Sequence, residues 1–186
     1  MTYLIEQLIN GICQGAIYAL FAIGYTIIVG VVGMVTFTFG EVIMIGAFAA
    51  LFTATLTGGN ILLTILFSFA ASGLIGIDVG GATLMGNVLG CGIGGVAGML
   101  YALYYGSLSA SMGGMATMKA FSSSVLGGLV DIQASAIGGL LIGISENYGI
   151  ALFSSSLRDM IAFVFLIIVL IFFPKGLRIK IGRKAK

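Results

Sequence analysis

The chain is a succession of long apolar runs separated by short turns rich in Gly, Ser and Thr. A helix needs about 20 apolar residues to cross a bilayer, and the runs come close to that length. Residues 7–40 carry no charge. This stretch exceeds one span but is too short for two spans and a loop, so it predicts a helix over 8–30 and a Gly-rich, aromatic turn over 33–40. A second helix is predicted over 41–56, a Thr-Gly-Gly-Asn turn over 57–60, and a third apolar segment over 61–77, ended by Asp78. Residues 82–105 form the next span. Tyr101, Tyr104 and Tyr105 sit at its end as an interfacial aromatic belt would. Residues 106–118 read as a loop or a dipping segment. Residues 120–130 are too short to span and suggest a half-helix, which survives at membrane depth only under a cover of protein or beside a wet cavity. Spans over 134–152 and 157–173 follow, the last ended by Pro174, the only proline. The pattern predicts an all-α membrane protein, a polytopic bundle of about six transmembrane helices with one or two broken or re-entrant segments. The even count places both termini on one side.

Glycine adds packing information. Gly86, Gly90, Gly94 and Gly98 recur every four residues, which on a helix makes one smooth stripe. Ser135, Gly139 and Gly143 make a second stripe, and Gly11 and Gly15 a shorter one. In lipid such stripes let helix backbones approach closely, so these positions are expected at helix contacts, with a conduction path as the lesser alternative.

Composition agrees with a lipid environment. Of the 186 residues, 60% are hydrophobic and 8% charged, against about 25% charged in soluble domains. Six of the eight basic residues, Lys175, Arg178, Lys180, Arg183, Lys184 and Lys186, crowd the C-terminal end. Basic flanks are retained in the cytoplasm, so residues 1–174 read as the membrane domain and 175–186 as a basic cytoplasmic tail, also suited to anionic lipid. The N-terminus lacks a basic n-region and carries Glu6, so it is expected to remain as the first span rather than be cleaved.

Several chemistries lack residues. There is no histidine, and Cys13 and Cys91 are isolated, which leaves no metal or disulfide framework. No phosphate loop, nucleophile elbow or aromatic-basic nucleic-acid patch is present. No cofactor and no enzymatic activity are expected.

The informative residues are the few ionisable groups among apolar segments, since such groups are costly in lipid and usually face a bundle interior or a wet path. Glu41 opens a helix after the aromatic turn. It either caps that helix, where peptide dipoles favour a carboxylate, or lines a path. Lys119 is expected to snorkel to an interface, with a path role as the alternative. Asp131 is placed in a turn. Glu146, beside Asn147, either ends a helix near the surface or faces the interior. Asn87 is expected to bridge helices.

Two blocks carry a family resemblance. In the first, over 8–51, Asn10, Gly11, Gly15, Tyr18, Ala19 and Leu20 match N-G-x-x-x-G-x-x-Y-A-L; Gly24, Tyr25 and Thr26 match G-Y-T; Phe37, Gly40 and Glu41 match part of N-F-A-H-G-E. In the second, over 71–176, the match is dense at Tyr104-Tyr105-Gly106, Lys119-Ala120-Phe121 and Val125-Leu126-Gly127-Gly128. The chain resembles the permease subunits of branched-chain amino acid ABC importers, the leucine-isoleucine-valine type. Thr36, Thr38 and Phe39 stand where the family has Asn, Ala and His. Ala110, Gln133 and Ala134 fall where it has S-P and I-P-G, and those prolines shape broken helices.

The resemblance implies a permease working by alternating access, driven by separate ABC ATPase subunits. A second permease subunit, identical or related, and an external solute-binding protein would complete the importer in the inner membrane. It places the turn from Thr36 through Thr38 to Glu41 on the translocation path, with Lys119 and Glu146 as further candidates. The chain lacks roughly a hundred residues of the family, about three spans, with the gap between about 61 and 74. The family's charged ATPase-docking segment precedes an L-G-I-D stretch. Here only Leu74 to Asp78 remains, so Gly76, Ile77 and Asp78 are the coupling candidates. A transport-inactive remnant and a small homo-oligomeric channel are the rival expectations.

Overall fold

A computed structural model describes residues 2–33, 35–74, 81–109, 111–129 and 131–152, together with the helical positions Met160, Val164, Ile167, Ile168 and Ile171. Among the described residues six helices have defined bounds, in order α1 (Thr2–Val32), α2 (Phe39–Leu56), α3 (Ile61–Leu74), α4 (Gly81–Tyr105), α5 (Met112–Leu126) and α6 (Ile132–Leu152). The described residues contain no strand, so the all-α expectation holds.

Among the described residues, three helices are long and apolar enough to cross a membrane, over Ile5–Val32, Phe39–Leu56 and Leu84–Tyr105. The α3 helix is apolar but has only 14 residues, about 21 Å of rise. The 21 residues of α6 are long enough, but Gln133, Glu146 and Asn147 dilute their apolar character. The predicted half-helix over 120–130 corresponds to α5, which starts well upstream at Met112 and ends at Leu126. At its Gly113-Gly114 start, Gly113 packs against the backbone of Gly40. The predicted loop over 106–118 is therefore half helix. The predicted span over 157–173 and the basic tail over 175–186 fall almost wholly outside the described residues.

Local chemistry sets the helix ends. The α2–α3 turn runs through Gly58 and Gly59, with φ of +65° and +89°, values that a residue with a Cβ adopts at a cost. Asp131 caps α6: its Oδ1 accepts from the backbone N–H of Gln133 at 3.0 Å and of Ala134 at 3.3 Å, satisfying two donors that no helical carbonyl reaches.

Between helices in lipid there is little hydrophobic driving force, so close packing and hydrogen bonds hold the bundle. The α1–α6 contact is the most extensive, and it is antiparallel: Gly11 faces Ile144, Gly15 faces Leu140 and Gly139 faces Ala19. The α4 stripe faces neighbours along its length. Gly86 meets Val31, Gly90 meets Gly24 and Ile28, Gly94 meets the Phe39 ring, and Gly98 meets the carbonyl of Ile43. Hydroxyls join α3 to α2, where Ser68 donates to the Gly46 carbonyl at 2.8 Å and Ser72 to that of Val42 at 3.4 Å. The α5 helix is a bridge. Its N-terminal end lies on α2 through Gly113 and Gly40, its C-terminal end on α6 through Gly127 and Ser135, and it packs on α1 between them. Tyr18, Phe21, Tyr25, Phe39 and Ile43 fill the centre. Leu62, 77% exposed, Leu56 and Leu66 point outward, as lipid-facing side chains do.

Gly30 is the contrast to these glycines. It lies inside α1, has an ordinary helical φ, and a Cβ there would meet nothing within 4 Å. Gly30→Ala is expected to raise stability by about 0.5–1 kcal/mol, because alanine favours the helix and restricts the unfolded chain. A rise in the thermal midpoint of the purified chain checks this; a fall contradicts it.

Candidate functional site

The interior of the bundle holds a polar cluster built by α1, α5 and α6. Lys119 comes from the middle of α5 and Glu146 from the C-terminal half of α6. Lys119 Nζ lies 2.9 Å from Glu146 Oε1, and the two side chains are 5% and 0% exposed. The ammonium also donates to the Tyr18 hydroxyl at 2.8 Å and lies 5.0 Å from the centre of that ring, a favourable place for a cation. Tyr18 Oη accepts from Gln14 Nε2 as well, one turn earlier on α1. Asn147 Nδ2 donates to Gln14 Oε1 at 2.8 Å and to the Gly143 carbonyl at 2.9 Å. One connected network thus joins three helices.

Its placement follows from the sequence of each helix. On α1, Gly11, Gln14, Gly15 and Tyr18 recur at spacings of three and four and share a face. The glycines bring α6 close, and the polar pair then faces it. On α5, Ser123 Oγ donates to the Lys119 carbonyl at 2.7 Å. One turn beyond Lys119, Ser124 Oγ bonds Thr26 Oγ1 and the Ser124 carbonyl accepts from Ser135 Oγ at 3.5 Å. The polar seam therefore extends from Gln14 to Ser135.

Lys119 does not snorkel, because its ammonium is held inside by Glu146 and Tyr18. Glu146 likewise faces the interior rather than a surface end of its helix. The structure brings these two candidates together. Thr36, Thr38 and Glu41 form a separate group on the α1–α2 turn. Glu41 and Thr38 are exposed and Thr36 is half-buried. Thr38 occupies the N-cap of α2 without a side-chain capping bond, and Glu41 lies in the first turn. The turn and the ion pair share α5: the Phe121 ring, two residues after Lys119, lies 6.0 Å from that of Phe37 and 6.2 Å from that of Tyr25. Gly76, Ile77 and Asp78 lie outside the described residues.

Gln14, Tyr18, Thr26, Asn147 and the serines of α5 were not among the candidates. The signal for Gln14 and Tyr18 was their spacing beside Gly11 and Gly15. For Thr26 and Ser124 nothing local marks a partner 98 positions away. The described residues contain no group of three or more His, Cys, Asp or Glu side chains that could hold a metal. A cavity of about 540 Å³ lies elsewhere, between α2, α3 and the end of α4, and is lined mainly by apolar side chains such as Ala47, Ala50, Met99 and Ala102.

The sequence profile of the family described as branched-chain amino acid transport system / permease component matches residues 7–85 and 71–170. The chain is 25% identical over 291 aligned positions to the high-affinity branched-chain amino acid transport system permease protein BraD of Pseudomonas aeruginosa, covering 93% of this chain and 95% of that protein. It is also 25% identical over 293 positions to the permease protein LivH of Escherichia coli K12, covering 94% and 95%. These alignments exceed the chain's 186 residues, so more than a hundred of their positions have no counterpart here. No solved structure matches. With matches along most of its length, this multi-pass membrane chain belongs to the family of branched-chain amino acid transport permeases, proteins of transport rather than of catalysis.

Proposed function

We propose that this chain is the membrane-spanning permease subunit of an ABC importer for branched-chain amino acids, and that the polar interior of α1, α5 and α6 is part of its translocation path. The observation that carries this reading is the buried Lys119–Glu146 pair with its Tyr18, Gln14 and Asn147 partners, inside a bundle of this family whose other buried side chains, among the described residues, carry no charge. Ionisable groups at such depth are retained where a polar solute or ion must pass. The path opens alternately to the two sides, and ATP binding and hydrolysis on separate ATPase subunits bias the two states. A second permease subunit and an external solute-binding protein complete the importer. The chain lies in the inner membrane with its basic tail in the cytoplasm. Residues 76–78 meet the ATPase, and the turn at Thr36, Thr38 and Glu41 lines one mouth of the path.

The test is co-expression with the cognate ATPases and partner subunits, followed by leucine uptake into vesicles. A complex that takes up leucine supports the reading. A folded, monodisperse chain that neither binds ATPase nor supports uptake overturns it. The second outcome would favour a transport-inactive remnant, the reading supported by the positions that this chain lacks relative to BraD and LivH. Ion flux through the chain alone would instead favour a homo-oligomeric channel. In an active complex, Glu41→Gln is expected to lower uptake several-fold with unchanged assembly, since an exposed carboxylate at the mouth acts on the solute rather than on packing. Unchanged uptake would leave Glu41 only its place in the first turn of α2, where it stabilises the helix dipole.

A further inference from the structure

We propose that Lys119 and Glu146 are an exchange pair for the zwitterionic head of an α-amino acid. When α5 and α6 part, the Lys119 ammonium takes the solute's carboxylate and the Glu146 carboxylate takes the solute's ammonium. This rests on the reading that the interior of α1, α5 and α6 belongs to the path.

The argument begins with burial. Both side chains are almost fully enclosed, and a buried charge that loses its opposite partner is costly. The pair can therefore open only if something replaces each partner. A lone cation satisfies Glu146 and strands Lys119; a lone anion does the reverse. An uncharged solute replaces neither. A molecule with both charges on one carbon satisfies both groups in one step, and the net charge of the site does not change.

The arrangement suits that exchange in two further ways. The two charges stand on different helices, so they separate by relative helix movement without unwinding either helix. A neutral group already touches the lysine side of the pair. The Tyr18 hydroxyl accepts from Lys119 at 2.8 Å, and Asn147, adjacent to Glu146, is tied through Gln14 to the same hydroxyl. The Tyr18 hydroxyl keeps the Lys119 ammonium hydrogen-bonded while the salt bridge is broken. Aromatic rings stand next to the head-group position: the Phe21 ring centre is 6.4 Å from that of Tyr18 and 5.8 Å from that of Tyr101. A branched aliphatic side chain attached to the zwitterion meets apolar rings there, not further charge.

The experiment uses the purified full-length chain in lipid nanodiscs without the solute-binding protein, which would impose its own selectivity. Its thermal midpoint is measured with L-leucine, with isopentylamine, which keeps only the cation, and with 4-methylpentanoate, which keeps only the anion. Saturating leucine is expected to raise the midpoint by about 2 °C or more, and neither analogue is expected to raise it. In the K119Q/E146Q double variant, whose two amides can still hydrogen-bond each other, the leucine shift is expected to vanish. No shift with leucine, equal shifts with all three compounds, or a leucine shift retained in the double variant would overturn the exchange pair. If the double variant does not fold, the comparison of the three compounds on the unaltered chain decides alone. Leucine uptake by the assembled complex, without the leucine-specific shift, sinks the exchange pair and leaves the permease reading standing. Absence of uptake by the unaltered chain in a folded, assembled complex sinks the permease reading itself.

Discussion

Lys119→Met is expected to destabilise the chain by about 3–5 kcal/mol, because it leaves the Glu146 carboxylate buried without its cation. The loss reaches beyond one bond. Lys119 Nζ donates to both Glu146 Oε1 and Tyr18 Oη, so its removal takes a donor from each. Tyr18 is also held by Gln14, and Gln14 by Asn147, so α1, α5 and α6 all lose order at their common point. A large part of the cost comes from the stranded carboxylate rather than from the lost attraction. The double variant K119M/E146M should therefore recover most of the stability, since well-packed apolar residues in place of a buried pair are often neutral or better. Thermal midpoints of the two single variants and the double variant in detergent measure this coupling. If the double variant loses as much as the two singles added together, the two residues do not act as a pair.

Gly143→Leu is expected to cost about 3 kcal/mol or more, at the upper end of what overpacking does. A Cβ at Gly143 would run into the backbone of Gly15 and approach the Gly11 carbonyl at 3.0 Å. Backbone on the opposing helix has no rotamer to change, so α1 and α6 must move apart along their most extensive contact. Asn147, one turn beyond Gly143 and bonded to its carbonyl, would be drawn away from Gln14, and Glu146 beside it from Lys119. The expected readouts are a lowered thermal midpoint and a loss of leucine uptake in the assembled complex. A variant with an unchanged midpoint would show that the two backbones are not this close in the membrane.

The helices were legible where apolar runs are bounded by local chemistry. Thr57-Gly58-Gly59-Asn60 marks the α2–α3 turn, and the tyrosines at 101, 104 and 105 mark the end of α4. The start of α5 was not legible, because Gly113-Gly114 reads locally as a helix breaker. It packs against Gly40, more than seventy positions away in the chain. The candidate site was legible in half. Rarity of charge singled out Lys119 and Glu146, yet a lysine in an apolar chain reads equally well as an interfacial anchor. Only the partner 27 positions on, and a tyrosine 101 positions back, show that it is buried. Gln14 and Asn147 were hidden because neutral amides carry no such rarity. The coupling candidates Gly76, Ile77 and Asp78 and the basic tail are untouched by this geometry, since they lie outside the described residues.

The placement of α5 has a mechanical consequence. A beam resting on two supports tilts when either support moves, and its midpoint moves with it. The α5 helix rests on Gly40 of α2 at one end and Ser135 of α6 at the other, with Lys119 close to its middle. A shift of α2 against α6 turns this beam, and the lysine ammonium swings at the end of its own long arm. In the proposed exchange, motion at the rim of the bundle would be geared to the separation of the two charges at its centre.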